Sequence, residues 1–336
     1  MINLLKVYRL GIAYARSLSS FHLNGNPRPF SAAFMVTNKC NLRCSYCNYP
    51  LIKSKELNLE QINLLFDNLL KMGVKRLGIS GGEPMVRKDL PDIIDLASKK
   101  GFFISLNSNM LLYQRYRGKL NNVDYFFTSI DGTPETQKIN RGNDSIDKII
   151  DAIRDIKSLG KKITVISVVS QPSKESVDYV LDLAKKEHFD VHFQPEGYGA
   201  ELLGRDEPVN DDNESYRQIW NYILAKKLEG APITSSKEYL RYTANWKDYK
   251  KTAVNHPGYK CAAMYGFIFV DPTGTAYPCC YTKGKVSGIN LLEEKWDKSQ
   301  FEKLPCSTCI GGPYLEYNLL FRKPIKSSFE ALSKVS

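Results

Sequence analysis

The sequence predicts an α/β protein: a partial (β/α)6 parallel barrel followed by a small C-terminal module that contains a β-hairpin. Three observations predict it. Short apolar runs alternate with helical periodicity from about residue 31 to about residue 195. The polar and glycine residues suited to chemistry fall just after those runs, where parallel strands end. Beyond that point the alternation stops, and glycines, acidic residues and aromatics lead into a second group of cysteines.

In chain order, residues 1–30 form an amphipathic segment. Lys6, Arg9 and Arg16 break up its apolar residues, so it does not read as a signal sequence, and nothing later reads as a membrane span. Leu5, Tyr8 and Ile12 share one helical face, opposite a basic one. A helix docked on the main domain is the ordinary reading. Peripheral contact of residues 1–23 with an anionic bilayer is the second, so the chain is expected in the cytoplasm with membrane association left open.

Strands are expected at residues 32–37, 76–80, 102–107, 125–130, 163–169 and 191–194, with helices at 59–72, 89–99, 146–159 and 173–186 between them. Six such units curl a parallel sheet over residues 31–195 into a partial barrel. Residues 196–260, with Asp211, Asp212, Glu214, Trp220, Tyr239, Tyr242 and Trp246, read as a helical bridge and a place for substrate. The last module, 261–336, begins with strands at 267–270 and 275–278 around Asp271-Pro272-Thr273-Gly274, a hairpin with a glycine turn.

At 336 residues and 43% hydrophobic content the chain can bury a large core. The net charge of +11 comes from dispersed lysines such as Lys161-Lys162, Lys185-Lys186 and Lys250-Lys251, which read as solvated edges. That argues against nucleic acid, while remaining compatible with an anionic substrate. The eight cysteines fall into groups of three, three and two, with more than 200 residues between the first two groups. Such spacing in a long chain points to metal ligation in a reducing compartment, not to disulfides.

Cys40, Cys44 and Cys47 make Cys-x3-Cys-x2-Cys directly after the first strand. A four-iron cubane needs four outside ligands, so three thiolates leave one iron open to a chelating amino acid. Structural zinc is the competing use, but it wants four closed ligands, and neither a fourth cysteine nor a histidine lies nearby in sequence. The segment Cys40-Asn41-Leu42-Arg43-Cys44-Ser45-Tyr46-Cys47 resembles the signature loop of the radical S-adenosylmethionine (radical SAM) superfamily, and residues 31 to about 195 resemble its core. The resemblance implies a three-cysteine 4Fe-4S cluster that binds S-adenosylmethionine, with Tyr46 near the adenine.

Gly81-Gly82-Glu83-Pro84 follows the second strand, 34 residues after Cys47. Glycines allow close backbone approach and Glu83 can accept bonds from an ammonium; a plain turn is the alternative. The segment resembles the family's Gly-Gly-Glu-Pro element, which holds the methionine amino group. Asn107, Asn109, Ser129 and Asp131, at strand ends, suit ribose hydroxyls or the methionine carboxylate, and each suits a helix cap equally. Gln194 faces cofactor or substrate, or completes a buried network. Arg141 meets a carboxylate or phosphate, or stays solvated. No catalytic residue is singled out.

Cys261, Cys279, Cys306 and Cys309 can close a second centre completely, as iron–sulfur or as zinc. Their spacing resembles the SPASM module and more closely its shortened twitch form, which implies one auxiliary 4Fe-4S cluster. Cys280 is unassigned: it can replace Cys279 as a ligand or sit inert. The resemblance also implies an electron donor such as flavodoxin or ferredoxin. Only about 30 residues precede the first strand, too few for the peptide-recognition domain of many peptide-modifying relatives. A small anionic metabolite (sugar, nucleoside or lipid-linked) is therefore the expected substrate. A ribosomally made peptide is the alternative, and a zinc-stabilised binding module is the reading from another class.

Overall fold

In the computed structural model the described residues are 4–196, 212–294, 296 and 304–322. The parts of the expected N-terminal segment, bridge (with Asp211) and C-terminal module and tail at 1–3, 197–211, 295, 297–303 and 323–336 lie outside them.

Six parallel strands run in chain order: β1 Ser31–Met35, β2 Arg76–Ser80, β3 Phe103–Asn107, β4 Tyr125–Ser129, β5 Lys162–Val169 and β6 Asp190–Pro195. Helices α2 Leu59–Met72, α3 Leu90–Lys99, α4 Pro134–Arg141, α5 Ile146–Ser158 and α6 Lys174–Glu187 connect them. Each connecting helix apart from α4 presents an apolar stripe at helical spacing. In α2, Ile62, Leu65, Phe66 and Leu69 are fully buried against Phe34, Leu77 and Ile79 of the sheet's outer face. Asn58 and Gln61 cap the α2 N-terminus reciprocally, and Gly73 ends it with φ 109°.

Helix α4 has no apolar stripe. Its buried residues are Gln137, Asn140 and Arg141, which hydrophobic periodicity does not reveal.

The bridge supplies α7 Asn213–Leu228 and α8 Lys237–Ala244. Short strands β7 Ala253–Val254, β8 Phe267–Val270, β9 Thr275–Tyr277, β10 Ile289–Asn290 and β11 Thr308–Cys309 follow, then α9 Gly312–Arg322. The hairpin does not stand apart. Strand β8 pairs parallel with β1, giving one nine-stranded sheet ordered β10-β9-β8-β1-β2-β3-β4-β5-β6. All four residues of β8 are buried, as a strand covered on both faces requires.

Helix α9 covers the open side. Tyr317 packs on Phe267 of β8 (ring centroids 5.1 Å), and its hydroxyl reaches Ser31 Oγ at 3.1 Å. Further along, Glu316 accepts a bond from the Ser236 backbone at 2.7 Å, and Gly312 lies against Gln194 of β6.

The N-terminal helix α1, Leu4–His22, docks on this frame by a different face from the expected one. Ala13, Ser17 and Phe21 are buried, with Leu10 and Tyr14 packed beside them against Phe30 and Phe321, while Leu5 and Tyr8 stay 54% and 67% exposed. Lys6 pairs with Asp124 at 2.8 Å, and Lys260 donates to the Phe21 carbonyl. The expected membrane association is corrected accordingly: the helix uses its buried face inside the fold, and among the described residues no helix is long and apolar enough to cross a membrane.

Candidate functional site

The cysteine loop leaves the buried end of β1 at Thr37. Thr37 Oγ1 donates to Glu56 Oε1 at 2.7 Å, and Asn38 Nδ2 donates to the Ile52 carbonyl and Ser54 Oγ. Cys40, Cys44 and Cys47 are half-buried and lie within electrostatic reach of one another. The Leu42 N–H already points at Cys40 Sγ, 3.3 Å away, as protein donors do toward cluster-ligating sulfur. Burial pushes the Cys40 thiol up and the Cys44 thiol up to about 11, with the Arg141 cation opposing the rise at Cys44. Bare, these thiols hold their protons at neutral pH, and bound iron would provide the charge that lets them ionise.

Three clamps fix the loop. Asn109 Nδ2 donates to Asn41 Oδ1 at 2.8 Å. The Ser45 N–H donates to the Asn140 carbonyl at 2.7 Å. Tyr46 donates its hydroxyl to Asp131 Oδ2 at 2.7 Å. That carboxylate is fully buried and also receives both arms of Arg141 (2.9 and 2.8 Å) and the Val168 N–H (3.0 Å). Arg141, placed by α4, finds its carboxylate inside the chain.

Gly81 and Gly82 lie under the loop. A Cβ on Gly82 would sit 2.4 Å from the carbonyl oxygens of both Asn38 and Lys39, and one on Gly81 2.6 Å from that of Thr37. The closely approaching group at both positions is the loop's own backbone, bonded through Gly82 N–H and Glu83 N–H. Gly82→Ala is expected to push the cysteine loop off the rim and to cost about 3 kcal/mol in denaturant unfolding, as overpacking against rigid backbone does.

Glu83 is buried and accepts from Met85 N–H, Ser108 Oγ and Asn109 N–H at 2.9, 2.8 and 2.7 Å, bracing the ends of β2 and β3. Pro84 begins a one-turn 3-10 helix after it. Glu83, Asn109 and Asp131 therefore all have partners within the chain. Asn107 and Ser129 are half-buried at the ends of β3 and β4, and their side chains make no hydrogen bond among the described residues. Gln194 faces Gly312, where a Cβ would meet its Oε1 at 2.4 Å.

The second cysteine group gathers as the C-terminal segments pair. Strand β11 lies antiparallel to β7, which places Cys309. Cys261, Cys279, Cys306 and Cys309 act on one another electrostatically, and Ala263 N–H donates to Cys261 Sγ at 3.4 Å. Burial raises all four thiols, Cys306 up to about 11. Among the described residues no three His, Cys, Asp or Glu side chains converge on one ion position. Zinc needs sulfurs about 2.3 Å from a single point.

Sequence reading missed Asn41 and Asn140 as loop clamps, Ser108 as a partner of Glu83, and Tyr49, Tyr281 and Tyr314 beside the cysteines. Only their closeness to the cysteines in sequence marks Asn41, Tyr49 and Tyr281. The rest become visible through tertiary contact alone.

A parallel partial barrel with a cysteine loop on its carboxyl rim defines an enzyme scaffold. Residues 34–184 match the family described as the Radical SAM superfamily, a match that supports a radical SAM enzyme. S-adenosylmethionine and an iron–sulfur cluster are typical of the superfamily.

The chain is 26% identical over 310 residues to a GTP 3′,8-cyclase of Clostridium botulinum, covering 87% of this chain and 92% of that protein. It is 28% identical over 270 residues to the PqqA peptide cyclase of Granulibacter bethesdensis, covering 75% and 67%. The fold matches native anSMEcpe with bound AdoMet and Kp18Cys peptide at TM-score 0.60 and 18% identity, covering 91% of this chain and 99% of that one.

Two of these likenesses, the PqqA peptide cyclase and the peptide-bound anSMEcpe, run against the expected small metabolite. Nearly the whole length of anSMEcpe, a protein solved with a peptide bound, superposes on this chain. A short N-terminal segment is therefore no bar to a peptide substrate.

Proposed function

We propose that this protein modifies a peptide by radical chemistry. Cys40, Cys44 and Cys47 hold a 4Fe-4S cluster with one iron left open for S-adenosylmethionine, and Cys261, Cys279, Cys306 and Cys309 hold a closed auxiliary 4Fe-4S cluster. When bound, the first cluster and S-adenosylmethionine supply a 5′-deoxyadenosyl radical for hydrogen abstraction. Tyr46, Gly81, Gly82, Glu83, Pro84, Asn107, Asn109, Ser129, Asp131 and Gln194 form the cofactor's surroundings. Asn107 and Ser129 offer free polar groups to it, while Glu83, Asn109 and Asp131 hold the cysteine loop in place. A flavodoxin- or ferredoxin-type donor provides the electron.

The observation that carries this reading is the presence in one molecule of two separate thiol groups, one of three and one of four, each with a backbone N–H aimed at its leading sulfur. The peptide class draws support from the relative named a peptide cyclase and from the peptide-bound structure.

Anaerobically reconstituted protein is expected to hold about eight irons per chain, as two cubanes require. With reductant it should form 5′-deoxyadenosine, and short peptides encoded beside its gene should change mass while GTP does not. Turnover of GTP with all such peptides unchanged would reverse the substrate class. A colourless, iron-free product would remove the enzyme reading altogether.

A further inference from the structure

Helix α9 carries Asn318 and Arg322 one turn apart, so both side chains lie on one face of it. Each holds backbone that adjoins a cysteine of the second group. Asn318 Oδ1 accepts from the Ala262 N–H at 2.6 Å, immediately after Cys261. Arg322 Nη2 donates to the Lys260 carbonyl, immediately before Cys261, and to the Ser307 carbonyl, immediately after Cys306, both at 3.3 Å. The guanidinium also lies over the Tyr259 ring, 4.0 Å from its centroid, so packing as well as bonding fixes its position.

Both side chains keep an N–H unused. Asn318 is fully buried, and because Ala262 donates, the oxygen end of the carboxamide must face it and the nitrogen end points elsewhere. Among the described residues neither Asn318 Nδ2 nor the buried Nε of Arg322 has a hydrogen-bond partner. A buried donor without an acceptor is costly, and a charged one more so, so an orphaned N–H in a folded chain points to a group that completes it. Here two of them stand on one helical turn, anchored to backbone on both sides of Cys261 and beside Cys306.

The acceptor that this place supplies is sulfur. Ala263 N–H donates to Cys261 Sγ at 3.4 Å, so that sulfur curls back over the same backbone that Asn318 holds. Asn318 and Arg322 also work against the rise that burial imposes on the Cys261 thiol. Iron-bound thiolates and sulfides accept hydrogen bonds and carry no donor of their own, which suits two N–H groups left over.

We propose that Asn318 and Arg322 are positioning residues of the auxiliary centre: with its thiolates bound to iron, their unused N–H groups donate to its sulfurs and raise its reduction potential. Hydrogen bonds and a positive charge at the sulfurs favour the reduced, more negative cluster. The proposal rests on the two-cluster reading above and adds to it the side chains that tune the second cluster.

Its test is a redox titration of the anaerobically reconstituted protein, followed by low-temperature spectra, with S-adenosylmethionine added to tell the first cluster from the second. Asn318→Leu, which removes the donor at similar volume, and Arg322→Gln, which removes the charge, should each make the second cluster at least about tenfold harder to reduce, a downward shift of about 59 mV for one electron. Arg322→Lys, which keeps the charge, should restore part of that shift. The first cluster should keep its wild-type potential in all three. An unchanged second-cluster potential in both Asn318→Leu and Arg322→Gln, whatever their Tm, would leave the two side chains a structural or water-binding role alone and overturn the proposal.

The wild type gives the answer where a variant fails to load its second cluster. Asparagine carrying heavy nitrogen in its carboxamide, or arginine carrying it in its guanidinium, should add a nitrogen coupling to the pulsed EPR spectrum of the reduced second cluster. Absence of that coupling with both labels overturns the proposal. A wild type that binds about four irons in place of about eight would instead overturn the underlying two-cluster reading.

Discussion

Cys44→Ala is expected to halve bound iron, from about eight to about four atoms per chain, and to bring 5′-deoxyadenosine formation down to background. The effect is all or nothing because the cofactor carries the chemistry, so losing its site removes the catalysed route; a drop of more than about 10⁴-fold is the expected scale. Stability should change little by comparison. The loop around Cys44 is held by Asn41–Asn109, Ser45–Asn140 and Tyr46–Asp131, none of which involves the thiol.

The matching change in the other group, Cys309→Ala, should also lose about half the iron yet leave S-adenosylmethionine cleavage measurable, because the open iron lies elsewhere. Iron analysis, low-temperature spectra of the reduced protein and quantification of the nucleoside check both variants. Full iron content in Cys44→Ala would show that the leading cysteine loop is not the cluster site.

How much of this was legible in the sequence follows from how local each cause is. The strands could be placed within a residue or two because each is a short apolar run that ends in polar groups, and β2 was expected at the residues it occupies. The cysteine groups were legible because ligand spacing is a chemical constraint written along the chain.

Helix α4 was not legible, since its buried residues are polar and answer to Asp131, ten residues before Arg141, instead of to an apolar core. Helix α1 docks by the apolar positions Leu10, Ala13, Tyr14, Leu18 and Phe21, with Phe21 seated against Phe321, while Leu5 and Tyr8, on the face the sequence reading singled out, stay exposed. The union of the hairpin with the barrel sheet depends on β8 finding the free edge of β1, a long-range pairing that no local signal encodes.

Asp131→Ala is expected to be the most destabilising single change near the site, by about 3–5 kcal/mol, because it strands a buried cation. Asp131 is fully enclosed and Arg141 is 10% exposed. Removing the carboxylate also takes the acceptor from Tyr46 Oη and from the Val168 N–H. The pair itself need not be worth that much. Desolvating two charges offsets most of their attraction, so most of the loss comes from the partner left behind.

That separates two explanations. If the stranded cation dominates, Asp131→Leu combined with Arg141→Met should recover much of the stability lost in the single variants, and a double-mutant cycle should return a coupling of about 2 kcal/mol or more. The cluster loop should not recover with it. Tyr46 would still lack its acceptor, so the double variant should surrender iron from the first cluster to a chelator faster than the wild type does. Unfolding curves and chelator kinetics measure the two effects independently. Asp131→Ala within about 1 kcal/mol of wild type, together with an unchanged iron-release rate, would mean that neither the carboxylate nor its latch on Tyr46 holds the cysteine loop in place.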